Sequence, residues 1–338
     1  MRYSKLGKSD VLASSLGFGA MNLPGVPFDQ AKEALNYALD QGINYIDTAA
    51  AYRNSEEIIG DSISHRRQEY FLATKTAQRT YEGAMEEINR SLTRMKTDCI
   101  DLIQIHYVNY VKEFTQIRSE GGAYEAALEA QRAGKVKYIG ITGHRPELLA
   151  KWVSKVQFDQ VLFHLNLAQP FALDELIPMA TQLDMMKIAM KPLSGGFIQP
   201  VDKAIRYPYS QDVHVTISGM VSKQEVIENI AAQQSEVQQE ERHELEQLAI
   251  ELGAHNCRRC NYCSCPLEIS IPDFMISSVF SKKFGLLTRG EGFFQQQKER
   301  VMSCADYEPC KVKPLCEQVC PYHLPMQKVI QETASYFV

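Results

Sequence analysis

The sequence predicts an α/β protein in which a parallel (β/α)8 barrel is followed by a smaller cysteine-rich domain. Eight short runs rich in apolar, aromatic and β-branched residues recur along the first two thirds of the chain, with amphipathic helical patterns between them. Eight of the nine cysteines fall between Cys257 and Cys320. A Gln/Glu-rich stretch at 233–240 separates the two regions, so we place the domains at 1–238 and 239–338.

The spacing of the runs is that of repeated strand and helix units. The runs begin 22 to 37 residues apart, which accommodates a strand, a helix and two loops. They lie at 15–20, 43–46, 70–74, 99–105, 136–141, 158–163, 186–190 and 213–218, and the helical patterns include 28–41, 82–95, 122–133, 146–155 and 222–232. Eight units are enough to close a barrel whose functional groups lie at the carboxyl ends of its strands.

Two segments do not fit the repeat. Residues 2–15 precede the first run, and we expect them to form a small hairpin that covers the bottom of the barrel. Residues 107–121 are too long for a simple connection, and we interpret them as a loop over the functional site.

The composition favours a soluble protein that acts on small molecules. Hydrophobic residues make up 45% of the chain, charged residues 23%, and the formal net charge is -5, which gives no reason to expect nucleic acid as a partner. The amino terminus is polar, and no run approaches the roughly 18 apolar residues of a membrane span. We therefore expect a cytoplasmic protein without membrane association.

Four polar residues lie at or just beyond the ends of neighbouring runs. Asp47 ends the second run, Lys75 the third and His106 the fourth, and Tyr52 lies in the loop after the second. A lysine ammonium beside a phenol makes the phenol a better proton donor, a carboxylate keeps the lysine charged, and a histidine can hydrogen-bond a carbonyl oxygen. Each residue alone has an ordinary structural explanation in capping or packing, but the combination predicts a site that protonates an alkoxide.

The sequence resembles the aldo-keto reductase family. The matching motifs are LGFGAM at 16–21, D-T-A-x-x-Y at 47–52 followed by NSEE, A-T-K at 73–75 and the strand that ends in His106. The resemblance extends to about residue 235 and implies an NAD(P)H-dependent oxidoreductase that transfers a hydride to an aldehyde or ketone. It also implies a catalytic tetrad of Asp47, Tyr52, Lys75 and His106, with Tyr52 as the general acid.

The resemblance also indicates where NADPH or NADH would bind. Small residues with free N–H groups follow the seventh run, where they can approach a pyrophosphate, and the segment after the eighth run resembles the adenosine-binding part of the family. The predicted cofactor residues are Gly19, Met21, Thr142, Asn166, Lys191, Pro192, Leu193, Ser194, Gly195, Gly196, Ser218, Gly219, Met220, Ser222, Gln224, Glu228 and Asn229.

Several positions depart from the family pattern. Glu225 stands where many members have an arginine for the 2′-phosphate, so the choice between NADPH and NADH stays open. Thr142, Gly143 and His144 replace the usual Ser-Asn pair, and Leu162 occupies a position where glutamine is frequent. Asn166 is either a contact to the nicotinamide carboxamide or a loop-capping asparagine.

The cysteines are spaced like ligands of iron–sulfur clusters. Thiolates separated by two residues, with a further Cys-Pro, can hold a cubane, and the segment resembles the helical ferredoxin-like domain that some aldo-keto reductases carry at the C-terminus. The crossed ligand pattern of two-cluster ferredoxins gives Cys257, Cys260, Cys263 and Cys320 for one 4Fe–4S cluster, and Cys265, Cys310 and Cys316 for a possible second. Cys304 could complete the second set, since eight cysteines make two sets of four. Lys313 stands where the second set should have its middle cysteine. A four-cysteine zinc site and reduced structural thiols are the alternatives.

The role of a cluster is open at this level. A nicotinamide gives up two electrons as a hydride, whereas a cubane accepts one, and the sequence has no evident flavin fingerprint to mediate between them. We therefore interpret the cluster as structural or redox-sensing. The alternatives are a cluster that conducts electrons for a less usual reduction, a nucleotide-binding sensor with little turnover, and a subunit that docks a redox partner protein.

The substrate is expected to be a small carbonyl compound. Aromatic residues predicted at the rim favour an apolar or aromatic compound, although such residues often serve only packing. They are Phe18, Tyr107, Tyr110, Phe114, His144, Phe163 and Phe197.

Overall fold

A hairpin and a closed barrel make up the first part of the chain. The computed structural model describes residues 1–194, 198, 200–233, 236–253, 257, 263–272, 275, 299–304, 306–320 and 322–329. Strands β1 (Tyr3–Lys5) and β2 (Leu12–Ser14) pair antiparallel, which confirms the predicted hairpin. Leu6 at its turn is fully buried and packs into the barrel interior, so the hairpin closes one end of the barrel.

Eight parallel strands form the barrel. They are β3 (Leu16–Gly19), β4 (Tyr45–Asp47), β5 (Phe71–Thr76), β6 (Ile100–Ile105), β7 (Val136–Thr142), β8 (Gln160–His164), β9 (Met186–Met190) and β10 (Val215–Gly219). Strand β10 pairs with both β9 and β3, which closes the sheet. The predicted (β/α)8 barrel is confirmed, and every strand bound lies within two residues of the expected one.

Helices cross over between the strands, because parallel neighbours cannot be joined by a tight turn. The crossover helices are α1 (Phe28–Asp40), α2 (Ser55–Ile63), α3 (Tyr81–Arg94), α4 (Val111–Arg118), α5 (Ala123–Arg132), α6 (Pro146–Val153), α7 (Leu176–Gln182) and α8 (Val201–Tyr209). After the last strand come α9 (Lys223–Ala231), α10 (Gln239–Gly253) and α11 (Leu315–Gln318). Residues 107–121 were expected to be a loop, but they contain helix α4. The Glu113 carboxylate caps the start of this helix by accepting from the N–H groups of Asn109 and Tyr110.

The strands divide their side chains between two buried layers. Alternate residues such as Tyr45, Phe71, Leu102 and Ile188 fill the barrel interior, and the residues between them pack outward against the helices. At the carboxyl ends of the strands the inward layer becomes polar. This change places charged side chains around the barrel axis at one rim.

Helix α10 packs against the barrel. Arg206 on α8 forms an ion pair with Glu241 at 2.5 Å, and Leu245 and Ala249 are buried in the outer core. The first helix of the predicted second domain is thus in contact with the first, and the domain boundary at 238 stays a prediction. Within the described ranges, no helix combines the length and the apolar character needed to cross a bilayer.

Candidate active site

Asp47 and Lys75 form a buried ion pair at the carboxyl ends of β4 and β5. Only 5% of Asp47 and 1% of Lys75 are exposed. The Lys75 ammonium donates to Asp47 Oδ1 at 2.5 Å and to the carbonyl oxygen of Thr48 at 2.7 Å. Because both side chains lie inside the strand barrel, the lysine charge is held in a fixed direction.

Tyr52 and His106 complete the group. The Lys75 Nζ atom lies 5.0 Å from the centroid of the Tyr52 ring. The His106 ring meets the Tyr52 ring edge-on, with 5.7 Å between centroids. The structure thus brings together all four residues of the predicted tetrad.

The surroundings fix the charge states of Lys75 and His106. Burial lowers the pKa of Lys75, but the charge and hydrogen bond of Asp47, together with Tyr52, outweigh it, so this pKa lies above the ordinary value. Burial lowers the pKa of His106 to about 3, and the charges of Lys75, Arg79 and Lys191 act in the same direction. At neutral pH the rim therefore presents an ammonium and an uncharged imidazole.

Two residues of this corner were missed by the sequence analysis. Arg79 donates to the carbonyl oxygens of His106 at 2.9 Å and Tyr107 at 3.2 Å, and so fixes the loop that carries the histidine. Gln104 donates to Asp47 Oδ2 at 3.0 Å. Gln104 on β6 precedes His106 by two residues, and this spacing was the signal that the two side chains share a face.

Comparison with known proteins identifies the family. The model of the aldo/keto reductase family matches residues 15–231, which is more than half of the chain. The chain belongs to the aldo/keto reductase family.

Individual relatives agree with this assignment. The uncharacterized oxidoreductase YqkF of Bacillus subtilis (strain 168) is 32% identical over 220 residues, which span 60% of the reductase and 69% of that protein. The aldo-keto reductase YhdN of the same strain is 29% identical over 217 residues, 59% of the reductase and 64% of that protein. The holo form of aldo-keto reductase AKR11C1 from Bacillus halodurans superimposes with a TM-score of 0.64 at 25% identity, covering 73% of the reductase and 96% of that chain. The expectation of an aldo-keto reductase-type enzyme is confirmed.

The predicted pyrophosphate-binding residues of the reductase follow β9 in a tight turn. Lys191 and Ser194 have left-handed backbones, with φ of 56° and 47°. The carbonyl oxygen of Lys191 accepts from Asn166 Nδ2 at 2.9 Å and from the Ser194 N–H at 3.0 Å. Pro192 is buried and Leu193 half-buried. Gly195, Gly196 and Phe197 lie outside the described residues.

The residues predicted near the nicotinamide also hold loops together. Asn166 is fully buried, and its Oδ1 accepts from the Ala168 N–H at 3.0 Å while its Nδ2 reaches Lys191. These contacts are those of a loop-capping asparagine, which was one of the two roles that the sequence allowed for Asn166. The Thr142 hydroxyl accepts from the Tyr107 N–H at 2.9 Å. Gly19 ends β3, where an added Cβ would lie 3.0 Å from Ile217 and Ser218, so the position favours glycine.

The predicted adenosine-binding residues surround the start of α9. Ser222 caps this helix by accepting from the Glu225 N–H, and the Glu225 carboxylate accepts from the Val221 N–H at 2.7 Å. Gln224 and Glu228 pair on the exposed face, and Asn229 Nδ2 donates to the carbonyl oxygen of Glu225.

The remaining predicted cofactor residues lie at two edges of the rim. Ser218 and Gly219 end β10, and Met21 is 54% exposed on the turn after β3. The side chain of Met220 is fully buried in the outer core, because it follows the strand on the helix-facing side.

The aromatic rim differs from the expectation. Phe18, Phe114 and Phe163 are buried in the outer core, and Phe114 stacks on Trp152 at 4.9 Å, because their positions point away from the barrel axis. Tyr107 and Tyr110 are half-buried. The rings of Tyr107 and His144 meet edge-on, with 4.6 Å between their centroids. The centroid of the His144 ring lies 4.0 Å from that of His164, a residue that was not predicted from the sequence. The part of this rim that the structure describes therefore carries phenol and imidazole rings.

The cysteine-rich segment, residues 257–329, gathers several of its thiols. Burial, followed by the charges of Cys265 and Cys310, raises the pKa of Cys304 to about 11. Burial, followed by the charges of Cys263, Glu317, Cys265 and Cys304, raises the pKa of Cys316 to about 12. Cys304 and Cys316 therefore each lie near other thiols. None of the described cysteines forms a disulfide.

The iron–sulfur prediction is not borne out by the family match or by ready-made ligand geometry. The family model ends at residue 231, before the first clustered cysteine. Among the described residues, no group of three or more His, Cys, Asp or Glu side chains could hold a metal ion. Of the first predicted set, Cys257 and Cys320 are buried and Cys263 is half-buried, while Cys260 lies outside the described residues. The iron–sulfur cluster therefore stays a prediction.

Proposed function

We propose that the reductase converts an aldehyde or ketone to an alcohol with NADH or NADPH, and that Tyr52 is the general acid. The observation that carries this proposal is the Lys75 ammonium, which Asp47 and Thr48 hold 5.0 Å from the centroid of the Tyr52 ring. A cation beside a phenol stabilises the phenolate that remains after proton transfer. The family membership of the chain supports the same reaction class.

The carbonyl oxygen of a substrate could bind between Tyr52 and His106, where both side chains can donate a hydrogen bond to it. The neutral imidazole can donate one hydrogen bond to that oxygen, and the phenol can donate the other. When bound, the nicotinamide supplies a hydride to the carbonyl carbon. The Tyr52 proton then passes to the alkoxide oxygen, and Lys75 holds the phenolate until it is protonated again.

The direct test is the reduction of simple aldehydes by the wild-type protein and by Tyr52→Phe. We expect the wild type to consume NADH or NADPH with the aldehyde and Tyr52→Phe to lose at least about 100-fold in kcat, because general acid catalysis is removed. Tyr37→Phe, on the outer helix α1, is the matched control and should keep the wild-type rate. A rate for Tyr52→Phe close to that of the wild type would end the proposal for this residue.

The adenosine end supports a preference for NADH. The Glu225 carboxylate lies at the first turn of α9, where it accepts from the Val221 N–H. A negative charge here would repel a 2′-phosphate and would tolerate a ribose hydroxyl. We therefore propose NADH as the better cofactor.

We also propose that the cysteine-rich segment binds an iron–sulfur cluster, with Cys265, Cys304, Cys310 and Cys316 as one ligand set and Cys257, Cys260, Cys263 and Cys320 as the other. Buried, reduced thiols that neighbour one another support this assignment. A bound cluster would supply one-electron transfer or hold the segment together. Metal analysis and the absorption of protein purified without oxygen test it, and zinc in place of iron would favour the four-cysteine zinc alternative.

A cluster-linked electron-transfer function is the second candidate, and contacts between the two regions favour it. Gln169, in the loop after β8, is 3.5 Å from the carbonyl oxygen of Cys257, and Tyr322 donates to Glu147 on α6 at 2.5 Å. The segment therefore contacts helix α6, which follows β7, and the loop that follows β8. In an anaerobic titration with NADH and no mediator, bleaching of the cluster absorption would support this candidate, and an unchanged absorption would support a structural or sensing role.

A further inference from the structure

Asp47 has a second hydrogen-bond donor besides Lys75. Gln104 is fully buried, and its Nε2 donates to Asp47 Oδ2 at 3.0 Å, while Lys75 donates to Oδ1 at 2.5 Å. Each carboxylate oxygen thus has one donor, and one donor is charged while the other is neutral. The two contacts together fix the rotation of the carboxylate.

The register of the strands brings Gln104 to this place. Gln104 on β6 is directly opposite Lys75 on β5. Residues two apart on a strand face the same side, so Gln104 and His106 both point toward the barrel axis, with Gln104 deeper. One strand therefore serves the ion pair below the rim and the reacting carbonyl group at the rim.

We infer that Gln104 is a positioning residue of the reductase, whose amide fixes the Asp47 carboxylate so that Lys75 stays charged and directed at Tyr52. An amide suits this place because it donates a hydrogen bond without adding a second charge to the buried pair. A carboxylate would repel Asp47, and an apolar side chain would leave Oδ2 desolvated without a donor. The inference rests on the proposed function for its kinetic test.

The other titratable groups around the pair keep one charge state near neutral pH. Burial, followed by the charges of Asp47 and Asp101, raises the pKa of Tyr45 well above its ordinary value, so this phenol stays protonated. His106 stays neutral because its pKa is about 3. Changes in the pH profile of a Gln104 variant therefore report on Asp47, Lys75 and Tyr52.

The test compares Gln104→Leu with Gln160→Leu. Gln160 is also fully buried on the inward face of the barrel, at β8, and its side chain has no hydrogen bond to the tetrad. We expect Gln104→Leu to lower kcat about 10- to 100-fold with little change in KM, the size expected when a buried charged group loses a donor. Its pH profile should differ from that of the wild type, because the carboxylate that faces Lys75 is no longer held in one orientation. Gln160→Leu should keep the wild-type plateau.

Gln104→Glu separates positioning from packing. A protonated carboxyl group can donate in place of the amide, whereas an ionised one repels Asp47. We expect activity close to wild type at the acidic end of the profile and a progressive loss of kcat as the pH rises. The inference would be contradicted if kcat of Gln104→Glu had the same pH dependence as kcat of the wild type.

The failure of this inference differs from the failure of the proposed function. If Tyr52→Phe is inactive but Gln104→Leu keeps the wild-type kcat and pH plateau, Gln104 has no positioning role and the function stands. If the wild type reduces no carbonyl compound, the inference is tested instead by the urea concentration at which each variant is half unfolded. We then expect a lower midpoint for Gln104→Leu than for Gln160→Leu, because only the former removes a donor from a buried charge, and equal midpoints would overturn the inference.

Discussion

The tetrad corner and the described part of the cysteine-rich segment both bury reactive side chains, but the corner surrounds its side chains with an opposite charge and hydrogen-bond donors. At the corner, Asp47 and Lys75 are almost inaccessible, and each is hydrogen-bonded to neighbours from other strands. In the cysteine-rich segment, burial raises the pKa values of Cys304 and Cys316, and neighbouring cysteines add to the rise. The corner stabilises its charged forms, and the segment stabilises neutral thiols.

The difference shows whether each region needs a bound ligand or metal to have its reactive form. A buried charge is tolerated when opposite charges and donors surround it, so the corner has its reactive form before any ligand binds. Buried thiols become good ligands only when a cation replaces their protons. We therefore expect the corner to respond to single substitutions of its partners and the segment to respond to metal.

The largest effect is expected from Lys75→Met. This change removes the charge that faces Tyr52 and leaves Asp47 buried without a cation, so we expect kcat for aldehyde reduction to fall at least about 1,000-fold. The measurement is single-turnover reduction at saturating cofactor.

Lys187→Met is the matched control for that change. Lys187 is also buried, with 4% exposed, but it is paired with Asp212 away from the tetrad. We expect it to lower stability and to leave kcat of the folded protein unchanged. A Lys75→Met protein with more than about a tenth of the wild-type kcat would show that the corner does not depend on its cation.

The next effect concerns the cysteine-rich segment. Cys316→Ala should remove at least about half of the bound iron and of the absorption near roughly 400 nm, because it removes one thiolate ligand. Cys99→Ala, in the barrel, should match the wild type. Equal iron content in the two variants would exclude Cys316 as a ligand, and iron absent from all three proteins would exclude the cluster.

The pH dependence sharpens the comparison at the corner. The ordinary pKa of histidine is 6.5, and that of His106 is about 3, so this imidazole is neutral in the folded protein above about pH 4. We expect no decrease in kcat from His106 protonation as the pH falls from about 8 to 5. An acid limb near 6.5 that disappears in His106→Asn would contradict this, and the profile of kcat against pH measures it.

The smallest effect is expected at the adenosine end. Glu225→Gln removes a charge and keeps an acceptor for the Val221 N–H, so α9 should keep its cap. We expect kcat/KM for NADPH to rise about 3- to 10-fold relative to NADH, the size of a single partly exposed charge interaction. The ratio of the two kcat/KM values is the measurement, and an unchanged ratio would mean that Glu225 does not face the 2′ position.

Much of the corner was predictable because it depends on strand ends. Asp47, Lys75 and His106 each end a β-rich run, and the carboxyl ends of parallel strands meet at one rim. Gln104 was not predicted, since its function depends on register across β5 and β6. The aromatic rim was partly wrong because Phe18 and Phe163 fall on the outward phase of their strands, and phase is uncertain by one residue when the run bounds are uncertain.

The sequence by itself determined the barrel and the residue types of its catalytic corner, because hydrophobic periodicity and spacing encode local structure and the order of strand ends. The tertiary structure alone decided which groups touch: the amide of Gln104 on Asp47, the Arg79 contacts behind His106 and the stacking of His144 on His164. These contacts join side chains that lie 20 to 57 residues apart, and their formation depends on barrel closure and register, which are properties of the whole fold.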